Sequence, residues 1–293
     1  MAVLGIDIGG TGIKGAPVDT ARGVLLAERH RIPTPRPATP AAVARVVGEV
    51  ARHFRWRGPI GCTFPGVVKN GVVQTAANLD PSWVGVHGER LFSRSTKCPV
   101  LLLNDADAAG VAEMTFGRGR GHRGVVLMLT LGTGIGSALF ANGMLVPNTE
   151  LGHLEIGGKE AEARASERAK KKHDLGWKAW AKQVNRVLAT LEALFSPDRI
   201  LLGGGVSAKY DHYMDYLESR CEIVPAKLEN DAGIVGAALI DRDLLERGVG
   251  ARSASPKRTP RKATRPASDR DASRGGSTRT KRRARKKPGS RSR

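Results

Sequence analysis

The chain has 293 residues with 40% hydrophobic and only 4% aromatic content, enough for a core built mainly from Val, Leu, Ile and Ala. The net charge of +20 suggests a nucleic-acid binder if taken whole, but 17 of the 48 Lys and Arg and only 2 of the 28 Asp and Glu fall in residues 251–293, which leaves residues 1–250 mildly basic. The scattered cysteines Cys62, Cys98 and Cys221 form no CxxC pair, and the opening MAVLGIDIGG has neither a basic leader nor a long apolar run. No disulfide framework, cysteine zinc site, signal peptide or membrane span is expected, and a reducing cytoplasm is the default.

In chain order, Val3–Ile8 reads as a buried strand and Gly9–Gly12 as a tight turn. Gly15–Val18 and Leu25–Arg31 read as short antiparallel strands. After the Pro-rich stretch 33–40, Thr39-Pro40 is a helix start, with Thr as N-cap and Pro at the first helical position. Val43, Val46, Val47, Val50, Ala51 and Phe54 then share one helix face. Ile60–Phe64 is a strand ending at Pro65-Gly66. Val100–Leu103 is another, followed by Asn104-Asp105 and a small-residue helix over 106–116. Val125–Leu131 is the most strand-like run and ends in Gly132-Thr133-Gly134-Ile135-Gly136. Trp177, Trp180, Val184, Val187, Leu188, Leu191 and Leu194 mark a long amphipathic helix. Ile200–Leu202 enters Gly203-Gly204-Gly205, and 232–247 reads as a closing helix.

The tetrapeptide Gly-Thr-Gly-Ile occurs at residues 10–13 and again at 132–135, each time between two apolar runs. The echo suggests two related domains facing one cleft. Residues 251–293 contain no Leu, Ile, Val or aromatic residue, so they cannot bury enough apolar surface to offset their ordering entropy, and disorder is expected there.

Several motifs carry chemistry. In Asp7-x-Gly9-Gly10-Thr11-Gly12-x-Lys14, glycines let backbone N–H groups approach phosphate oxygens, and Thr11 adds a hydroxyl donor. Asp7 is placed to position Mg²⁺, directly or through water, and Lys14 to offset phosphate charge. The spacing is not that of a Walker P-loop, and the same residues also suit a plain Gly-rich hairpin. Gly132, Thr133, Gly134 and Gly136 form a second candidate phosphate cradle. Asp105 stands where a strand meets a helix, as a phosphoryl-transfer base or as a helix N-cap. Glu150, His153 and Glu162 offer carboxylates and an imidazole to a ring of sugar hydroxyls. A metal there is the weaker alternative, since no second His or Cys stands nearby.

Asp7-Ile8-Gly9-Gly10-Thr11, Asn104-Asp105, Leu131–Gly136, Glu150-Leu151-Gly152-His153 and Leu202–Ser207 occur in that order and together resemble the ROK family of bacterial sugar kinases and related repressors. The resemblance spans nearly all of residues 1–250. It implies an α/β, two-domain actin-like (ribonuclease H-like) fold: a small domain over 1–105, to which the closing helix 232–250 returns, and a large domain over 106–231. It implies Asp105 as catalytic base. Sugar contacts are implied from Asn104, Asp105, Glu150, His153 and Glu162, with Pro65 and Gly66 beside them. Gly203, Gly204 and Gly205 are implied near the phosphoryl donor, Mg²⁺ as cofactor, and a homodimer as the assembly.

Two departures matter. The family's zinc cysteines are replaced by Gly157-Gly158-Lys159-Glu160-Ala161-Glu162, so no zinc is expected, and no helix-turn-helix precedes Met1. Val146–His153 and the compact cysteine-free stretch are most similar to the branch that phosphorylates glucose from inorganic polyphosphate. A polyanionic donor needs a track of cations, which Lys159, Arg164, Lys170, Lys171 and Lys172 can supply with Arg168 and Lys178 nearby, or Arg118, Arg120 and Arg123 elsewhere. The same charges also suit a solvated helix face. Two other readings remain open here: a strictly ATP-dependent hexose kinase, and a sugar-sensing protein binding nucleic acid or other polyanions non-specifically through its tail.

Overall fold

The structure, a computed structural model, describes residues 1–77 and 79–240, all within one compact unit. The expected closing-helix residues 241–250 and the basic tail, with its polyanion reading, lie outside the described residues.

The first half contains β1 (Ala2–Ile8), β2 (Gly12–Asp19), β3 (Val24–Leu25), β4 (His30–Pro33), α1 (Pro40–His53), β5 (Ile60–Phe64), the hairpin β6 (Val68–Lys69) and β7 (Val72–Val73), α2 (Gly88–Thr96) and β8 (Val100–Asn104). The second contains α3 (Asp105–Phe116), β9 (Val125–Leu131), β10 (Ile135–Ala141), β11 (Met144–Val146), α4 (Ala161–Ala165), α5 (Glu167–Lys172), α6 (Trp177–Phe195), β12 (Arg199–Gly203), β13 (Glu222–Pro225) and α7 (Ala232–Leu239).

The strands make two main sheets of one plan. The first runs β3-β2-β1-β5-β8, with β4 also paired to β2, and the second runs β11-β10-β9-β12-β13. In each, the first three strands are antiparallel neighbours and the remaining pairings are parallel. Each copy of the repeated tetrapeptide sits on the tight connection between two paired strands: Ile8 faces Ile13 across the first and Leu131 faces Ile135 across the second.

Alternation along the central strands feeds a core on either face. Leu127, Leu129 and Leu131 of β9 meet Trp180, Val184, Val187, Leu188 and Leu191 of α6. Val126 and Met128 turn to the other side, toward Val111 and Met114 of α3. In β1, Leu4, Ile6 and Ile8 pack with Val43, Val47 and Val50 of α1, while Val3 joins Ile234 and Val235 of α7. Each such fully buried side chain contributes about 1.5–3 kcal/mol relative to exposure. Helix α1 starts as expected, with the Thr39 hydroxyl accepting from Ala42 N and Pro40 at the first turn.

Helix α7 lies on β1 and β5 and crosses α3. The approach is backbone to backbone: a Cβ on Gly61 would collide with the Ala237 carbonyl, and one on Gly236 with that of Ala108.

Three local readings are corrected. The single strand expected over Leu25–Arg31 is two strands, because β3 pairs at Val18–Asp19 whereas β4 pairs at Gly12–Gly15 of the same neighbour. The closing helix ends at Leu239, with Ile240 at φ −61°, ψ 116°. Leu194 is 59% exposed, and Phe195 takes the inward place in the last turn of α6.

Candidate active site

The carboxylate of Asp7, near the end of β1, accepts a hydrogen bond on Oδ1 from Thr63 Oγ1 at 2.7 Å, and Thr63 in turn accepts from Ile8 N at 3.0 Å. Lys14 Nζ lies 3.2 Å from Asp7 Oδ2 and donates to the Asn230 carbonyl at 2.8 Å. Lys14 therefore neutralises Asp7 as much as it offers charge to a phosphate. The turn itself is closed by Gly9 N donating to Gly12 O at 3.0 Å, and Arg31 donates to Thr11 O at 3.1 Å across Gly12. Gly10 is exposed at its tip.

Asn104 and Asp105 sit at the junction of β8 and α3. Asn104 is the N-cap: its Oδ1 accepts from Ala106 N at 2.8 Å and Asp107 N at 3.0 Å. Its Nδ2 donates to Gly66 O and to Glu150 Oε1, both at 3.2 Å. This draws the Pro65-Gly66 turn after β5 and the Glu150 loop to the same place. Because Asn104 does the capping, Asp105 is free of that duty, apart from one bond that its Oδ1 accepts from Ala106 N at 2.8 Å. Burial first, then the negative charge of Asp7, pushes the Asp105 carboxyl up to about 7. Asp7 and Asp105 thus feel one another across the floor of one site. The Asp7 carboxylate is a hard oxygen donor of the kind a divalent cation such as Mg²⁺ takes.

Glu150 is held by its neighbours. Ser137 Oγ of β10 donates to Thr149 O and accepts from Leu151 N at 3.0 Å. Gly152 must be glycine, since a Cβ there would collide with Ile135 O. Burial raises the Glu150 carboxyl, His153 pulls it back, and Glu162 raises it again. Glu162 Oε2 accepts from Ile135 N at 3.3 Å and lies over Gly134 of the second turn. Glu150, His153 and Glu162 therefore converge, as the sequence suggested.

His153 Nδ1 lies 3.3 Å from Glu160 Oε1. Glu160 stands in a short hairpin, with Ile156 N donating to Lys159 O at 2.9 Å and Gly157-Gly158 at φ 54° and 73°. Ligand atoms of His153, Glu160 and Glu162 lie within 4.8 Å of one another, so the structure gathers one imidazole and two carboxylates where the sequence offered no second His or Cys beside His153.

The second turn is closed by Gly132 N donating to Gly134 O at 3.0 Å, and Arg168 N at the start of α5 donates to Gly132 O at 3.1 Å. Gly136, one strand position on, lies against Thr130 and Ala106. Gly132, Thr133, Glu167, Arg168, Lys171 and Lys172 line a cleft of about 490 Å³. Gly204 packs on the backbone of Leu131, and Gly205 faces Glu167, one of the residues that line that cleft.

The expected cation track divides. Lys171 and Lys172 line the cleft. Arg164 does not: it donates to Ile156 O at 2.9 Å and Gly157 O at 2.7 Å and clamps the Glu160 hairpin. Lys170 lies 4.2 Å over the Trp177 ring, and Lys159 sits in the hairpin turn. Arg118 is drawn to the far end of the second sheet, where its carbonyl accepts from Arg199 at 2.7 Å. Reasoning from sequence missed Ser137, Asp107, Asn148 and Glu160, whose roles come from partners distant in the chain or from a hairpin without a periodic signal.

Known proteins resemble this chain in sequence and fold. The profile of the ROK family matches residues 3–164 and 158–243. A polyphosphate glucokinase of Mycobacterium tuberculosis is 53% identical over 236 residues, covering 80% of this chain and 89% of that protein. The crystal structure of an inorganic polyphosphate/ATP-glucomannokinase from Arthrobacter sp. strain KM superposes with a TM-score of 0.79 at 49% identity, covering 81% of this chain and 97% of that one. A ROK family glucokinase from Streptomyces griseus, solved with glucose and AMPPNP, shares the fold, with a TM-score of 0.70 at 24% identity, covering 85% and 100% of the two chains. The duplicated sheets are those of the actin-like two-domain sugar kinases, and the chain belongs to the ROK family.

Proposed function

We propose that this protein transfers the terminal phosphoryl group of inorganic polyphosphate, and also of ATP, to the 6-hydroxyl of glucose. The observation that carries the reading is the placement of Asp105: its carboxyl, pushed up to about 7, shares a site with Asn104 and Glu150, a short way along α3 from the second turn. The names and similarity of the M. tuberculosis and Arthrobacter enzymes support the substrate pair.

Asn104, Glu150, His153 and Glu162 bind the sugar hydroxyls, with the Pro65-Gly66 backbone beside them. The Asp105 carboxylate accepts the proton of the attacking hydroxyl as its oxygen bonds to the terminal phosphorus. The bond from that phosphorus to the bridging oxygen breaks, and the donor leaves one phosphate shorter. Backbone N–H groups of the two turns and of Gly203–Gly205 receive phosphate oxygens, while Arg168, Lys171 and Lys172 hold the rest of the chain. Mg²⁺, held through Asp7, would neutralise donor charge. The same proposal takes residues 1–105 with the returning C-terminal helix as the small domain and 106–231 as the large one, a homodimer as the assembly and the cytoplasm as the location. Among the described residues no helix is long and apolar enough to cross a membrane.

The test is a donor panel with purified protein, using polyphosphate and ATP against glucose, mannose and fructose. Glucose 6-phosphate formed from polyphosphate supports the reading; formation from ATP alone would leave only an ATP-dependent hexose kinase.

A further inference from the structure

Around Asn104 the hydrogen bonds close into a ring. Asn104 Oδ1 accepts from Asp107 N at 3.0 Å. Asp107 is fully buried, and its Oδ2 accepts from Asn148 N at 2.7 Å. The Asn148 side chain then pairs with both backbone groups of Val68: Oδ1 accepts from Val68 N at 2.8 Å and Nδ2 donates to Val68 O at 3.0 Å. Two residues back along the chain, in the turn before β6, Gly66 O accepts from Asn104 Nδ2 at 3.2 Å, which closes the circuit. The same Nδ2 reaches Glu150.

The ring joins three segments far apart in sequence: the β8–α3 junction, the Gly66–Val68 connection that leads into β6, and the loop leading to Glu150. Asn148 mimics a strand neighbour for Val68, an arrangement that fixes both distance and orientation. It does so at φ 60°, a left-handed conformation that Asn tolerates better than most residues. Glu150 is thereby anchored from both sides, by Asn148 through the ring and by Thr149 and Leu151 through Ser137. Asp107 Oδ1 is buried with no hydrogen-bond partner among the described residues.

We propose that Asp107 and Asn148 are positioning residues for sugar recognition: they hold Asn104 and Glu150 at a fixed separation by clamping the Gly66–Val68 connection between β5 and β6 to the Glu150 loop. Neither touches the sugar or the donor. The inference rests on the sugar site proposed above. It differs from that reading in assigning specificity to two residues that bind no ligand.

The test is steady-state kinetics on four variants beside the wild type, with glucose and polyphosphate varied separately. Asn148→Gly keeps the left-handed backbone easy and removes only the side-chain bonds to Val68. It should raise the glucose KM by about tenfold, with kcat and polyphosphate KM close to wild type. Asp107→Ala should do the same, and Asp107→Asn, which still accepts from Asn148 N, should restore most of the glucose affinity. The double variant Asn148→Gly with Asp107→Ala should be no worse than its more affected parent, because both cut one ring. An unchanged glucose KM in Asn148→Gly overturns the proposal. So does a parallel rise of both substrate KM values together with a fall in Tm, the pattern of general loosening. Failure of the wild type to phosphorylate glucose would instead refute the functional reading, which keeps the two failures distinct.

Discussion

At the end of the first hairpin, Asp7 faces Lys14 across the strand pair; at the corresponding place in the second, Thr130 faces Gly136. The strand order, the sense of the pairings and the glycine-threonine turn repeat between the two halves, but the charges do not. The first half carries its acid and its cation on the hairpin. The second has a neutral hairpin and takes its cations from the separate helix α5, through Arg168, Lys171 and Lys172. A duplicated backbone thus supplies phosphate-approaching N–H groups twice. In the proposed function the side chains then split the work, with metal and proton chemistry assigned next to the first turn and donor-chain binding next to the second.

The sharpest challenge to this division is Asp105→Asn at the junction of the halves. It should lower kcat by about 10²–10⁴-fold with little change in glucose KM, since the shape survives and the proton acceptor does not. Undiminished turnover would remove Asp105 from the reaction. Next comes a matched pair. Asp7→Asn should cut kcat by roughly ten- to a hundredfold, whereas its counterpart Thr130→Val should stay near the wild type; equal losses would show that the halves are chemically alike. The same pair tests the titration. Asp105 must be ionised to accept a proton, and its carboxyl is raised to about 7, so kcat/KM should fall as pH drops below 7. Removing the Asp7 charge should carry that acid limb to lower pH, while Thr130→Val leaves it in place.

A milder effect is expected from Arg168→Ala, Lys171→Ala and Lys172→Ala combined. The polyphosphate KM should rise about tenfold and lose part of its salt dependence, with the glucose KM unmoved. The smallest effect belongs to Lys159→Ala and Lys170→Ala. Both should leave polyphosphate KM nearly unchanged, and Lys170→Ala should cost only ~0.5–1 kcal/mol of stability through its lost contact with Trp177. A large rise in polyphosphate KM from either would return these lysines to the track.

Much of this was readable before any coordinates. The capped start of α1, the strand Val125–Leu131 and the stripe on α6 follow from local chemistry: a Thr-Pro cap, an aliphatic run and a helical period. The repeated tetrapeptide was enough to suggest two related halves. Arg164 was misread because its ligands are the carbonyls of Ile156 and Gly157, and composition cannot tell a carbonyl-bound arginine from a phosphate-bound one. Asp107 and Asn148 were invisible for a different reason. They are 41 residues apart, and Asn148 is 80 residues from Val68, so no window of sequence contains the ring. Glu160 looked like one more charge in a polar stretch until the hairpin carried it under His153.

The return of α7 to β1 and β5 also sets a timetable for biosynthesis. Val3, Gly5 and Gly61 emerge early from the ribosome, yet the residues that cover them, Ile234 and Ala237, come more than 170 residues later in the chain. At ~5–20 residues per second, that face of the first sheet waits roughly ten to fifty seconds for its cover. Contacts of such sequence separation also slow folding itself. The nascent chain therefore spends that interval with an open aliphatic face, the period in which a holding chaperone has most to protect.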